Sequence, residues 1–206
     1  MGRRKLIEDD QLLARVRDVL VRRGTSVSSR SIAAELGISS SVLFQRFGSK
    51  EELIFAAMTP PAPDIASLLR GGARAADGRV HLERVLERLL AYFRTLVPVL
   101  LPLATHPAFS YEDFRRRHPS APVEKLTTEL VAAFEEKKRD SKFDCSDVNV
   151  LVLNLVAVAH SLAFFERVGV HDGSFSRSTV RALAGLVWRG VAPGDLRSAH
   201  GSHREE

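Results

Sequence analysis

Hydrophobic residues recur at intervals of three and four positions along most of the chain, and strand-like alternation is scarce. This spacing is typical of amphipathic α-helices. The first predicted helix follows Asp9 and Asp10, which are candidate caps, and it stops before Gly24. Its apolar positions are Leu12, Leu13, Val16, Val19 and Leu20. The pattern predicts an all-α protein.

Three short helices are predicted after the first one. The second spans about residues 30–36 and stops at Gly37, because glycine readily adopts the left-handed conformation in which many helices end. Ser39 or Ser40 caps the third helix. The fourth opens at residues 49–52, where Ser-Lys-Glu-Glu has the spacing of a capping box. These signals predict a compact N-terminal helical domain.

A proline-rich run, residues 59–63, ends the fourth helix because prolines lack the backbone donors that a helix needs. We place the domain boundary at this run. Residues 1–58 are predicted to form the N-terminal domain, and residues 59–206 a helical C-terminal domain.

Four longer helices are predicted in the C-terminal domain. They begin near Val80, Val123, Asp147 and Ser176, and the last three end near Lys138, Arg167 and Gly190. Pro98, Pro102 and Pro107 are expected to break or kink the first of them. Residues 148–165 carry no formal charge and approach the length of a membrane span. Polar residues interrupt the run, so a core or subunit-interface helix is favoured over a membrane helix.

The distribution of charge along the chain indicates a class of binding partner. Ten Lys and Arg against five Asp and Glu lie within residues 1–50, an excess equal to the net charge of +5 for the whole chain. A polyanionic partner and a basic solvated surface both explain this bias. The single cysteine, Cys145, forms no internal disulfide and fits a reducing cytosol. The N-terminus lacks the apolar stretch of a signal peptide, so a cytoplasmic location is expected.

Residues 28–47 have the layout of a helix-turn-helix. The second helix places small and apolar residues on one face, a tight connection around Gly37 reverses the chain, and the third helix turns apolar residues back onto the same core. These apolar positions are Ile32, Ala33, Leu36, Leu43 and Phe47. A plain helical hairpin is the alternative to a DNA-binding motif.

The opposite face of the third helix carries the candidate DNA contacts. Ser40, Ser41, Phe44 and Gln45 share it. Serine hydroxyls bond base edges or phosphates, glutamine pairs with adenine, and phenylalanine offers an apolar surface for a thymine methyl. Lys50 and the start of the fourth helix provide a cation and free N–H groups for a phosphate.

One stretch resembles the N-terminal signature of TetR-family repressors. It is Ser28-Ser29-Arg30-x-Ile32-Ala33-x-x-Leu36-Gly37-Ile38-Ser39-x-x-x-Leu43-Phe44-x-x-Phe47-x-Ser49-Lys50-Glu51-x-Leu53. The resemblance implies a three-helix DNA-binding domain followed by a helical domain for effector binding and dimerisation. It covers about a quarter of the chain.

The resemblance also implies roles for individual residues. Serines at the start of the second helix contact phosphates, Arg30 extends toward bases or backbone, and the third helix faces the major groove. Phe44 stands where the family usually has tyrosine. Phenylalanine lacks the hydroxyl, so one phosphate hydrogen bond worth about 1 kcal/mol is lost. The predicted DNA contacts are Ser28, Ser29, Arg30, Ser39, Ser40, Ser41, Phe44, Gln45 and Lys50.

A palindromic operator requires two recognition helices, about 34 Å apart, and hence a homodimer. The last two helices are the candidate interface, in which Ala182 and Gly185 allow close approach. The predicted interface residues are Leu155, Leu162, Val180, Leu183, Ala184, Val187 and Trp188. The alternative is that these residues form the core of one subunit.

A small lipophilic effector is expected among the middle helices by the same resemblance. Aromatic walls with a few polar anchors suit such a ligand. The candidate residues are Phe93, His106, Phe109, Tyr111, Phe114, Asn154, His160 and Phe164. Each aromatic residue is also explained as ordinary core.

The combined prediction is a sequence-specific transcriptional regulator, a repressor that its effector releases from DNA. A helical protein–protein adaptor is the second hypothesis, and salt-dependent duplex binding separates the two. An enzyme is disfavoured because the sequence contains no HExxH, GxSxG, glycine-rich phosphate loop or Cys/His metal spacing. No cofactor and no metal are expected.

Overall fold

The computed structural model describes residues 8–59, 64–69, 78–117, 122–139 and 144–191. Every regular element in these ranges is α-helical, which confirms the predicted all-α class. The helices are α1 (Asp9–Arg23), α2 (Ser29–Leu36), α3 (Ser40–Phe47), α4 (Lys50–Ala57), α5 (Ile65–Leu69), α6 (Gly78–Ala104), α7 (Tyr111–Arg117), α8 (Pro122–Arg139), α9 (Val148–Val168) and α10 (Arg177–Val191). Helices α5 and α7 are additions to the prediction.

Two local expectations are corrected. Asp9 and Asp10 do not cap α1 but lie in its first turn, where their charges favour the helix N-terminus. The break expected at Pro98 and Pro102 does not occur, because α6 continues through both for 27 residues. Each proline removes one backbone donor. Buried residues on either side, including Val99, hold the helix in its packing.

The described chain divides into two compact units. The first contains residues 8–59 and 98–117, and the second contains residues 64–69, 78–97, 122–139 and 144–191. The C-terminal part of α6 therefore belongs to the first unit, with Val99 and Leu103 buried in its core. The predicted boundary at residue 58 falls beside the end of α4.

The core of the first unit forms from the buried faces of its short helices. Leu12, Val16 and Leu20 of α1 pack with Leu43 of α3 and Ile54 of α4. An eight-residue helix is unstable alone in water, so this shared core is what keeps α2, α3 and α4 folded.

The second unit is built from longer helices, with α8 packed against α9. Apolar side chains of α6, such as Leu86 and Phe93, and of α8, such as Phe134, are almost fully buried. Among the described residues, α9 alone has the length and hydropathy of a membrane span, and 44% of that window is buried within the chain. A core helix of a soluble protein passes the same test.

Candidate nucleic-acid interface

The support helix α2 begins with a side-chain cap. The Ser28 hydroxyl accepts a hydrogen bond from the Ser31 amide at 3.2 Å, which satisfies one of the free donors of the helix end. Ile32, Ala33 and Leu36 are buried, as the pattern predicted. The N-cap residue Ser28 and Arg30 in the first turn of α2 are both exposed.

The turn between α2 and α3 has the predicted conformation. Gly37 adopts the left-handed region, with φ 71° and ψ 28°, and the Ile38 amide donates to the Ala33 carbonyl at 3.0 Å. Ser39 occupies the N-cap position of α3, but its side chain makes no cap hydrogen bond. Its hydroxyl lies 2.8 Å from that of Ser41 instead.

The recognition helix α3 touches the core mainly through one residue. Leu43 is fully buried, whereas Ser41, Phe44 and Gln45 are exposed and Ser40 is half-buried. The predicted contact face of α3 is therefore open to solvent. Phe44 is 42% exposed.

An ion pair that the sequence did not reveal ties α3 to α1. Nε of Arg46 lies 3.1 Å from the Asp9 carboxylate. Asp9 precedes Arg46 by 37 positions, so no local pattern signals the pair. The contact links the first turn of α1 to the last turn of α3.

The start of α4 has the predicted capping box. The Ser49 hydroxyl accepts from the Glu52 amide at 3.1 Å, and the Glu52 carboxylate accepts from the Ser49 amide at 2.9 Å. The Lys50 ammonium lies 3.5 Å from the Ser26 carbonyl, within the loop before α2. A cation and a helix N-terminus thus lie together beside the recognition helix, an arrangement suited to a phosphate.

Three arginines of α1 also make contacts within the first unit. Arg17 donates from Nε to the Ala57 carbonyl at 2.6 Å and from a terminal nitrogen to the Thr59 carbonyl at 3.1 Å, which satisfies the C-terminal end of α4. Glu35 pairs with Arg22 and Arg23. The hydrogen bond from Arg22 is the main cause that lowers the pKa of Glu35.

The comparisons with known proteins agree with this geometry. Residues 12–57 match the family model described as bacterial regulatory proteins, tetR family. Residues 12–57 are therefore similar to the DNA-binding domain of TetR-family regulators, and they contain the whole helix-turn-helix described above. No curated protein matches the chain by sequence.

Solved structures of low sequence identity share the fold. A putative TetR-family regulator from Mesorhizobium loti is 16% identical, with a TM-score of 0.69 over 90% of this chain and 96% of that one. A putative regulator from Saccharomonospora viridis, in complex with choline, is 18% identical, with a TM-score of 0.65 over 88% and 96%. AibR, in complex with isovaleryl coenzyme A and operator DNA, is 17% identical, with a TM-score of 0.58 over 86% and 94%.

The eight candidate effector residues fall in both units. His106, Phe109, Tyr111 and Phe114 belong to the first unit, and Phe93, Asn154, His160 and Phe164 to the second. In the second unit, the His160 ring meets Phe93 edge-on at 5.4 Å and stacks on Phe164 at 6.4 Å. In the first unit, Phe109 packs on Phe114 and His106 on Phe55.

The second unit also contains a cavity of about 580 Å³ between α6, α9 and α10. Its walls are mainly apolar, and Asn154 is the one candidate effector residue among them. Asp147 at its edge caps α9 through its carboxylate, and these backbone hydrogen bonds lower the pKa of Asp147. Val150 and Leu186 line the cavity and are 61% and 57% exposed, so it opens at the surface.

The predicted interface residues take two kinds of position. Leu155, Leu162, Val180 and Ala184 are buried within their own chain, whereas Leu183, Val187 and Trp188 are half-buried. Large apolar side chains on the outer faces of the same helices are exposed instead. They are Val150, Leu153, Phe165 and Val168 of α9 and Leu186 of α10. We name these five residues the outer apolar face.

Proposed function

We propose that this protein is a TetR-family repressor that binds a palindromic operator as a homodimer, in the cytoplasm, and leaves it when a small lipophilic molecule binds. The observation that carries the DNA-contact assignment is the exposed face of α3, with Phe44 and Gln45, next to Lys50 at the capped start of α4. Exposed polar groups on a recognition helix specify bases, and the neighbouring cation contacts phosphate.

Two substitutions test the DNA contacts. Gln45→Ala should relax sequence preference by about 1–3 kcal/mol at one base pair while leaving non-specific binding intact. Lys50→Ala should weaken binding to all duplexes alike and reduce the salt slope by about 1. Lys125→Ala is the matched control, because Lys125 is an exposed lysine of α8 in the second unit.

The measurement is fluorescence anisotropy on a selected operator and on scrambled DNA at several salt concentrations. Operator affinity that survives both Gln45→Ala and Lys50→Ala would contradict the assignment of the recognition helix. Duplex binding that shows no salt dependence in the unaltered protein would favour the adaptor hypothesis.

We propose that a second copy of the chain covers the outer apolar face. Several large apolar side chains exposed on two helices of one unit suit an interaction site, and a two-fold dimer supplies the two recognition helices that a palindrome needs. Leu153→Glu and Leu186→Glu should each shift the protein from dimer to monomer in sedimentation velocity. Tyr111→Glu, which charges an exposed residue of the first unit, should not.

We propose that the effector binds in the second unit. The cavity beside Asn154 supports this, since ligand pockets of about 300–1,000 Å³ are typically apolar with a few polar groups. Val150 and Leu186 at its opening belong to the outer apolar face, so the effector would enter beside the second copy. An acyl coenzyme A and choline are the first compounds to test, because the structural relatives hold such ligands. A binder should raise the melting temperature and release operator DNA.

A cavity-filling variant locates the ligand. Val158 lines the cavity and is half-buried, so Val158→Trp should fill it and abolish the melting-temperature shift. A shift that persists in this variant would place the effector outside the cavity.

A further inference from the structure

The loop between the recognition helix and α4 consists of two residues, Gly48 and Ser49. Gly48 ends α3, and its amide donates to the Phe44 carbonyl at 2.9 Å. Its backbone has φ 77° and ψ −95°, outside the left-handed helical region that Asn or Asp tolerates. Only glycine adopts this conformation without strain.

The space beside Gly48 is filled by Glu52. A Cβ at position 48 would overlap one carboxylate oxygen of Glu52 and lie 3.2 Å from its Cδ. That carboxylate is the group that accepts the Ser49 amide at 2.9 Å. A side chain at position 48 would therefore displace Glu52 from the capping box, in addition to straining the backbone.

We infer that Gly48 is a positioning residue for DNA binding, which acts by keeping the Glu52 carboxylate docked on the Ser49 amide. The docked carboxylate holds the first turn of α4 in register with the end of α3. Lys50 lies in that turn, so the box fixes where its ammonium can meet a phosphate. A displaced carboxylate would leave the Ser49 amide without its acceptor and carry a mobile negative charge beside Lys50.

This inference rests on the proposed phosphate contact of Lys50. Two substitutions of Glu52 separate position from charge. Glutamine retains the accepting oxygen of a capping box, whereas alanine does not, and both remove the negative charge. Glu52→Ala should bind duplex DNA about tenfold more weakly than Glu52→Gln, the loss expected for one hydrogen bond. Its salt slope should be smaller by about 1.

Gly48 is tested in the same assay. Gly48→Ala should lose at least as much affinity as Glu52→Ala, since it also strains the backbone, and the double variant should lose no more than about twofold beyond Gly48→Ala, because both changes act on one contact. Gly173→Ala is the matched control. Gly173 also has a positive φ, 72°, but a Cβ added there would meet no atom within 4 Å, and the residue lies in the second unit. This control should lower stability and leave DNA affinity unchanged.

Hydrogen exchange at the Ser49 amide gives a readout that needs no DNA. Exchange should be faster in Glu52→Ala and Gly48→Ala than in Glu52→Gln. Equal exchange or equal DNA affinity in the two Glu52 variants would overturn the inference, as would multiplying losses in the double variant. Should Gly48→Ala not fold, the Glu52 pair decides alone. Faster exchange without any salt-dependent DNA binding would overturn the proposed phosphate contact together with this inference.

Discussion

The two units use similar helix caps but helices of different length. In the first unit, the eight-residue helices α2 and α4 start at side-chain caps, and positive-φ glycines separate α2 from α3 and α3 from α4. In the second unit, α9 also starts at a side-chain cap, Asp147, and ends at a positive-φ glycine, Gly169, but it contains 21 residues and buries eight of them. Short helices need a signal at each end because few residues share the cost of nucleation.

The recognition helix of the first unit depends on few buried side chains. A DNA-binding unit must keep one face of its recognition helix exposed so that this face can enter the major groove. Few side chains of that helix are therefore buried in the core. Leu43 is the one buried residue of α3. Phe47, partly buried against the same core, and the Arg46–Asp9 ion pair supply further contacts.

The largest expected effect tests this dependence on one anchor. Leu43→Ala should lower the free energy of unfolding by about 2–5 kcal/mol and abolish DNA binding, since it leaves a cavity under α3. Val42→Ala, at a residue 36% exposed on the same helix, is the control and should change stability little. Urea unfolding followed by circular dichroism measures both. Equal losses would show that α3 is not anchored through Leu43.

A second prediction concerns the long-range ion pair of the second unit. Arg94 donates to both carboxylate oxygens of Glu166 at 2.8 and 2.7 Å, and Glu166 also accepts the Phe175 amide at 2.7 Å. The hydrogen bond from Arg94 is the main cause that lowers the pKa of Glu166. Glu166→Gln should cost about 1–2 kcal/mol at neutral pH, a value reduced by the partial exposure of Arg94.

The pH dependence of this pair has a definite sign. A lowered pKa in the folded state means that the stabilisation is present above the ordinary glutamate pKa and is lost as the pH falls through the lowered value. Unfolding measured from neutral pH downward should therefore show the stability gap between Glu166→Gln and the unaltered protein closing in acid. A gap that stays constant would mean that Glu166 contributes no charge interaction.

A third prediction compares the serines at the helix starts. Ser28→Ala and Ser49→Ala should each cost about 1 kcal/mol, because each removes a cap hydrogen bond. Ser39→Ala should cost less, since Ser39 occupies the N-cap position of α3 without such a bond. Thermal unfolding ranks the three variants. A loss at Ser39 as large as at Ser49 would contradict the assignment of its hydroxyl to Ser41.

The smallest effect is expected on the surface of the first unit. Glu35 pairs with Arg22 and Arg23 in an exposed position. Glu35→Gln should leave stability within measurement error, because solvent and salt screen such pairs. The same variant frees two arginines near the helix-turn-helix, so non-specific DNA affinity at low salt should rise slightly. A clear loss of stability would show that this ion pair stabilises α1 and α2.

Several features of the first unit were predictable because their signals are local. The Ser49–Glu52 box, the left-handed Gly37 and the buried face of α2 all depend on residues within one or two turns. Gly48 carried a weaker signal. A glycine between two helices is visible in the sequence, but its contact with Glu52 depends on the path of the chain through the loop.

The second unit was predicted less completely. Its long helices were predicted from hydrophobic spacing, but the spacing does not distinguish a side chain that faces its own core from one that faces a partner. Leu155 and Ala184 were expected at a subunit interface and are buried within the chain, whereas the exposed Leu153 and Leu186 were not among the candidates. Which residues form the interface stays a prediction for the Leu153 and Leu186 variants to test.

The sequence by itself determined the helical class, the capping box of α4 and the TetR-family motif, because hydrophobic periodicity and capping act over a few neighbouring residues. Tertiary structure decided the remaining contacts. Arg17 reaches a carbonyl 40 positions away, Arg94 a carboxylate 72 positions away, and residues 98–117 join the first unit. Such contacts depend on how helices that are distant in the sequence pack together, and no local sequence pattern specifies which residues become neighbours.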